Sequence, residues 1–87
     1  METLKVSSKS EPRAVAGAIA AIMRNGDTAE ITGIGAGAVN QMVKSIAVAR
    51  TYVAQDGFDL VCAPAFSQSI VDGNERTSMC MVVERRA

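Results

Sequence analysis

Ile31-Thr-Gly-Ile-Gly-Ala-Gly-Ala-Val39 joins a strand-like run to a long alanine-rich helical pattern, with Gly33, Gly35 and Gly37 at alternate positions. Glycine costs conformational entropy, so its repeated use here asks for a physical reason. Unusual dihedrals, tight packing of the helix on the sheet, or an anion near the amides of a helix N-terminus would each supply one. Gly33-x-Gly35-x-x-Ala38 also matches the dinucleotide-binding spacing between a strand and a helix. That motif needs an acidic residue at the end of the next strand to hold a ribose. Here that strand ends in Ala63-Pro64-Ala65-Phe66, with Asp59 at its beginning. No Gly-Lys-Ser/Thr follows at phosphate-loop spacing either. Packing and a backbone surface for a phosphate remain, and packing is the first expectation.

Outward from this turn the pattern alternates. Leu4 and Val6 alternate with Thr3, Lys5 and Ser7, predicting a first strand. Ser10 reads as the N-cap of a helix with Glu11 and Pro12 in its first turn. Val15, Ala18, Ile19, Ile22 and Met23 form its apolar stripe, and Asn25-Gly26 ends it. Ala29 to Ile34 is the second strand. Val39, Met42, Val43, Ile46, Arg50 and Val53 mark one side of a second helix so apolar that more than one face should be covered. Phe58 to Phe66 reads as an apolar strand with Pro64 near its end. Ser67 to Thr77 is polar and holds the turn signal Asp72-Gly73, and Ser78 to Glu84 gives the last strand.

The order β-α-β-α-β-β predicts one two-layer α/β domain over residues 1–87: a mixed four-stranded sheet with both helices on one side. The other sheet face must then be polar or covered by a partner. Only Tyr52, Phe58 and Phe66 are aromatic, so the core is built from Ala, Val, Ile and Met. Such a core is thin, and an oligomer, a homodimer or tetramer, would help it.

Nine basic and nine acidic residues cancel, which argues against a uniformly basic nucleic-acid-binding surface. Any basic face must come from segregation, and the first half begins it: Lys5, Lys9, Arg13 and Arg24 precede Asp27 against Glu2 and Glu11. Without histidine and with Cys62 and Cys80 far apart, no zinc site is expected, and the two cysteines read as buried thiols of a reducing compartment. No hydroxyl has a histidine to activate it and no carboxylate cluster is readable, so neither an enzyme nor a bound cofactor is expected. The N-terminus lacks the apolar core of a signal peptide, and Ala14 to Met23 is too short to span a bilayer. A cytoplasmic protein with no membrane partner is expected.

Leu4-Lys-Val-Ser-Ser-Lys-Ser10, Val15-Ala-Gly-Ala18, Ile34-Gly-Ala-Gly-Ala38, Asn40-Gln41 and Ala49-Arg50 stand in one order. With Asp59-Leu-Val-Cys-Ala-Pro-Ala-Phe66 and Asp72-Gly-Asn-Glu-Arg-Thr77, the chain resembles the stage V sporulation protein S family over nearly its whole length. That resemblance implies an Alba-like fold and a regulator of bacterial sporulation or development. It also implies nucleic-acid binding, to DNA or RNA, on the strength of the fold. By that analogy Lys9 and Arg13, at the start of the first helix, meet the phosphate backbone, with Lys44 and Arg76 as further candidates. Two departures weigh against it. The second helix opens on uncharged Gly33, Gly35 and Gly37 where Alba proteins carry arginines, and the hairpin sets Asp72 and Glu75 against Arg76. Met42 and Ser45 stand where the family has alanines. The alternative is a protein-interaction module assembled through its apolar second helix and open sheet face, and a small-molecule anion site at the glycine turn is a third reading.

Overall fold

In the computed structural model, which describes every residue from Met1 to Ala87, six elements follow in the expected order. They are β1 (Glu2–Lys5), α1 (Pro12–Arg24), β2 (Ala29–Gly33), α2 (Ala36–Ala54), β3 (Asp59–Val71) and β4 (Asn74–Arg86). The strands lie in the order β1-β2-β4-β3, with β1 parallel to β2 and both of β4's neighbours antiparallel to it. Each crossover steps the same way across the sheet, so the right-handed rule puts both helices on one face. A single core cluster joins Ile19, Ile22 and Met23 of α1, Met42, Ile46 and Val53 of α2, and Ile31, Leu60, Met81 and Val83 of the sheet.

Pro12 opens α1, where its missing amide costs nothing. The cap differs from expectation: the Glu11 carboxylate accepts the Arg13 N–H at 3.4 Å. Ser10 Oγ instead accepts the Ser7 N–H at 2.9 Å, because the preceding turn folds back on itself. At the other end Gly26, at φ +78°, donates to Met23 O, and Asp27 donates to Ile22 O. This is the paired-bond ending that glycine's left-handed freedom permits. Ala16 and Ala20 are fully buried, and side chains this small let α1 lie close against α2.

The buried stripe of α2 is Ala38, Met42, Ser45, Ile46, Ala49 and Val53. Val43 and Arg50, expected on that stripe, are exposed. Ser45 is buried but satisfied, its Oγ donating to Gln41 O at 2.6 Å. Met42 and Ser45 are both fully buried.

β3 and β4 run far beyond the predicted strands and form a long two-stranded arm, paired from Asp59↔Arg86 to Val71↔Asn74. The segment Ser67 to Thr77 is thus mostly strand, turned only at Asp72-Gly73. Both of these residues have positive φ, as a two-residue hairpin of native twist requires. Pro64 falls in mid-strand rather than near its end. It is tolerated because β3 is an edge strand whose outer side needs no donor.

Side chains alternate across the sheet, so Met81 and Val83 face the helices while Ser78, Cys80 and Val82 face away. The far face is mixed, carrying Glu30 and Thr32 beside these residues. Cys80 is buried there, and burial together with neighbouring Glu30 pushes its thiol pKa up. Cys62, expected to be buried, is exposed on the helix side of the edge strand, beyond the cover of α2.

Ion pairs concentrate at the end where α2 finishes and β3 begins. Arg24 Nε meets Asp56 Oδ2 at 2.7 Å, and Arg50 grips both oxygens of Asp59 at 2.8 and 2.9 Å. The Arg50 guanidinium, helped by the Leu60 N–H, holds the Asp59 carboxyl well below the usual carboxylate range. A depressed folded-state pKa contributes stability that is complete above the unfolded value of about 3.9 and lost as pH falls through the folded value. Thermal unfolding of wild type and Asp59→Asn should therefore differ at neutral pH. The gap should close as the medium becomes strongly acidic; a gap independent of pH would rule this out.

Candidate nucleic-acid interface

The three glycines of the opening turn have separate reasons, and none needs a ligand. A Cβ on Gly33 would sit 2.9 Å from Ala38 Cβ, 2.9 Å from Met42 Sδ and 3.0 Å from Val6 O, so its bare backbone is what lets α2 lie on β2. Gly37 meets the loop before α1, where an added Cβ would come within 2.8 Å of Ser8 Cβ. Gly35 is free of crowding but caps α2 at φ +88°, a region that L side chains rarely adopt. Packing therefore accounts for two glycines and dihedral freedom for the third.

This packing builds one end of the molecule. Ser7 Oγ accepts the Lys9 N–H at 3.2 Å, and Ser10 O accepts a bond from Gln41 Nε2 at 2.9 Å. The loop carrying Lys9 is thereby fixed on the first turns of α2. The C-terminal ends of β1 and β2 and the N-terminal ends of both helices all meet here. Lys5 closes β1, Lys9 lies in the loop, and Arg13 is the second residue of α1. Helix N-termini carry partial positive charge and unsatisfied amides, which adds to these cations.

The four ion pairs of the chain involve the N-terminal amine, Arg24, Arg50 and Arg86. Arg85 stacks over Phe58 at 4.1 Å. Lys5, Lys9, Arg13, Lys44 and Arg76 are left without a carboxylate partner, and all are exposed. The two ends therefore differ in pairing rather than in net sign, since the exposed carboxylates of Glu11 at the α1 cap and of Asp72 and Glu75 on the arm also lie toward the end with the free cations. One end is neutralised by Asp56 and Asp59, while the end with the helix N-termini keeps free cations.

Of the four residues singled out from sequence, Lys9 and Arg13 flank Ser10 and share this end. Lys44 lies about 12 Å further along α2 at 1.5 Å per residue. Arg76 stands on the arm opposite Ser69. Between arm and body runs a cleft of about 370 Å³ whose lining includes Lys5, Ser8, Thr32, Ser69 and Ser78. Ser69 and Ser78 bond each other at 3.1 Å. Lys5 was missed by sequence reasoning as a site residue. Its alternation with Leu4 and Val6 was the available signal, since it turns Lys5 away from the core.

No grouping of histidine, cysteine or carboxylate side chains able to hold a metal is present, and no helix is long and apolar enough to cross a membrane. The element order β-α-β-α-β-β and the mixed four-stranded sheet agree with the fold that the resemblance implied. A family model described as stage V sporulation protein S matches residues 2–86, and the chain belongs to that family, which places it in bacterial sporulation.

Proposed function

We propose that this family member is a non-enzymatic cytoplasmic regulator that binds nucleic acid through backbone phosphate contacts. Lys9, Arg13, Lys44 and Arg76 make the contacts, joined by Lys5 at the cleft. The observation that carries the reading is the pairing of the cations: Lys5, Lys9 and Arg13 stand unpaired where both helix N-termini point outward, while Arg24, Arg50 and Arg86 at the opposite end are occupied by Asp56 and Asp59. Phosphate contacts position a protein on a nucleic acid without reading its bases. No recognition helix or aromatic stacking platform accompanies them, so binding is expected to be indifferent to sequence. Gly35 and Gly37 add exposed amides to this surface without charge.

Fluorescence anisotropy with unrelated duplex DNA sequences and with RNA tests the proposal. Saturable binding at low ionic strength, with similar affinity across sequences, is expected. No association with either polymer under those conditions would rule it out.

A further inference from the structure

The cleft between the arm and the carboxyl ends of the parallel strands β1 and β2 has the size and the lining of a small-molecule site. Its volume of about 370 Å³ falls within the range of about 300–1,000 Å³ that such sites occupy, and exceeds what a bare phosphate fills. Lys5 and the hydroxyls of Ser7, Ser8, Thr32, Ser69 and Ser78 line it. No carboxylate is among the lining residues, and Lys5 belongs to none of the ion pairs. Crevices outside the carboxyl ends of strands are also where open α/β sheets take their ligands.

The lining is rich in donors and poor in groups to receive them. The Ser69 and Ser78 hydroxyls bond each other at 3.1 Å, and only one of their two hydrogens can lie in that bond. The pair therefore keeps a hydrogen to give, on a wall fixed by Ser78, which is 2% exposed. Ser7 Oγ already accepts the Lys9 N–H, which leaves its own hydrogen for another acceptor. The Lys5 ammonium adds three donors and accepts nothing. Such a lining matches a ligand that is negative and rich in acceptors. Val6, Ile34, Ile70 and Val71 complete the walls with apolar surface, and no aromatic ring is among them. A hydroxylated carbon skeleton packs on such walls, whereas a nucleobase asks for a ring on which to stack.

We propose that this cleft binds a small phosphorylated polyol, a sugar monophosphate in chemical class, with Lys5 on the phosphate and the serine and threonine hydroxyls shared between phosphate and sugar oxygens. Hydroxyls suit both, because each can donate to a phosphate oxygen and accept from a sugar hydroxyl. The site goes beyond the nucleic-acid surface proposed above: Lys9, Arg13, Lys44 and Arg76 do not line the cleft, and the two share Lys5 alone. It also differs from an anion seat on the glycine turn. Gly33 borders the cleft but Gly35 and Gly37 do not, so side chains rather than the first amides of α2 make the contacts.

Titration of the isotope-labelled chain with the monophosphates of glycerol, ribose and glucose, followed by amide chemical shifts, tests the proposal. At least one of the three is expected to give saturable shifts at millimolar concentration, centred on Lys5, Ser8, Thr32, Ser69 and Ser78. Inorganic phosphate and the unphosphorylated polyol should each bind about tenfold more weakly, because each leaves part of the lining unsatisfied. Lys5→Gln keeps most of the stem of an exposed side chain, so the fold persists while binding falls by about tenfold or more with the lost charge-assisted bond. Arg85→Gln removes the same charge far from the cleft and should bind as wild type. No saturable shift with any of the three monophosphates overturns the proposal. So do shifts centred outside the cleft, inorganic phosphate bound as tightly as the polyol phosphates, wild-type affinity in Lys5→Gln, or an equal loss in Arg85→Gln. Anisotropy with duplex DNA reads the nucleic-acid surface separately: a chain that binds DNA but none of these compounds contradicts this inference alone.

Discussion

The Lys9→Glu, Arg13→Glu double variant is expected to bind nucleic acid roughly four orders of magnitude more weakly than wild type at about 0.1 M salt. Each phosphate neutralised on duplex DNA contributes about 0.9 to the slope of log affinity against log salt, hence about 0.9 decades at 0.1 M. If a pair of chains engages about six phosphates, removing two contacts per chain takes away four of them, and reversing the charge adds repulsion. Both side chains are exposed and neither belongs to an ion pair, so the fold and its assembly should persist. Anisotropy measures the loss, and light scattering checks that assembly is intact. Wild-type affinity in a correctly folded double variant would remove this end of the molecule from any nucleic-acid interface.

Gly33→Ala is expected to lower the unfolding temperature by about 5 to 20 °C. Overpacking a well-filled site costs about 1–3 kcal/mol, and each kcal/mol shifts a domain of this size by about 4–8 °C. The new methyl would meet three atoms at or within 3.0 Å, and one of them, Val6 O, is backbone held in the sheet by the Val6 N–H bond to Thr32 O. Met42 is flexible at its sulfur and can yield; the carbonyl cannot. Gly17→Ala gives the contrast within the same protein. Nothing lies within 4 Å of its added methyl, and it sits in mid-helix, so a gain of about 0.5–1 kcal/mol is expected. Calorimetry on both variants decides the matter, and a Gly33→Ala protein as stable as wild type would show that the helix–sheet contact is not the reason for that glycine.

The parts of this fold legible in the sequence are those where local periodicity and packing agree. Ile19, Ile22 and Met23 of α1 read correctly because the large apolar side chains fall on one side of that helix, leaving Arg13, Ala14, Gly17, Ala21 and Arg24 exposed. α2 did not, since alanine and valine occupy several of its faces. Val43 and Arg50 were assigned to the core side while Ala38, Ser45 and Ala49 hold it. The arm was hidden for a different reason: beyond Phe66 its half-buried side carries the polar Ser67, Ser69 and Ser78 while Ile70 stands exposed, so no alternation of apolar and polar residues marks the strands. Cys62 was misread because a strand at the sheet edge keeps an apolar sequence without having a helix above it. At the candidate site, Lys9, in the turn before α1, and Arg13, its second residue, came from the Alba-like analogy rather than from a local pattern. Lys5 and the hydroxyls of the cleft come together only through the sheet order β1-β2-β4-β3, which no local pattern reveals.

The most direct test of phosphate-backbone binding is the salt dependence of affinity for duplex DNA. For about six phosphates engaged per pair of chains, log affinity should fall against log salt concentration with a slope near −5. A slope near zero, or no binding at low salt, would contradict it.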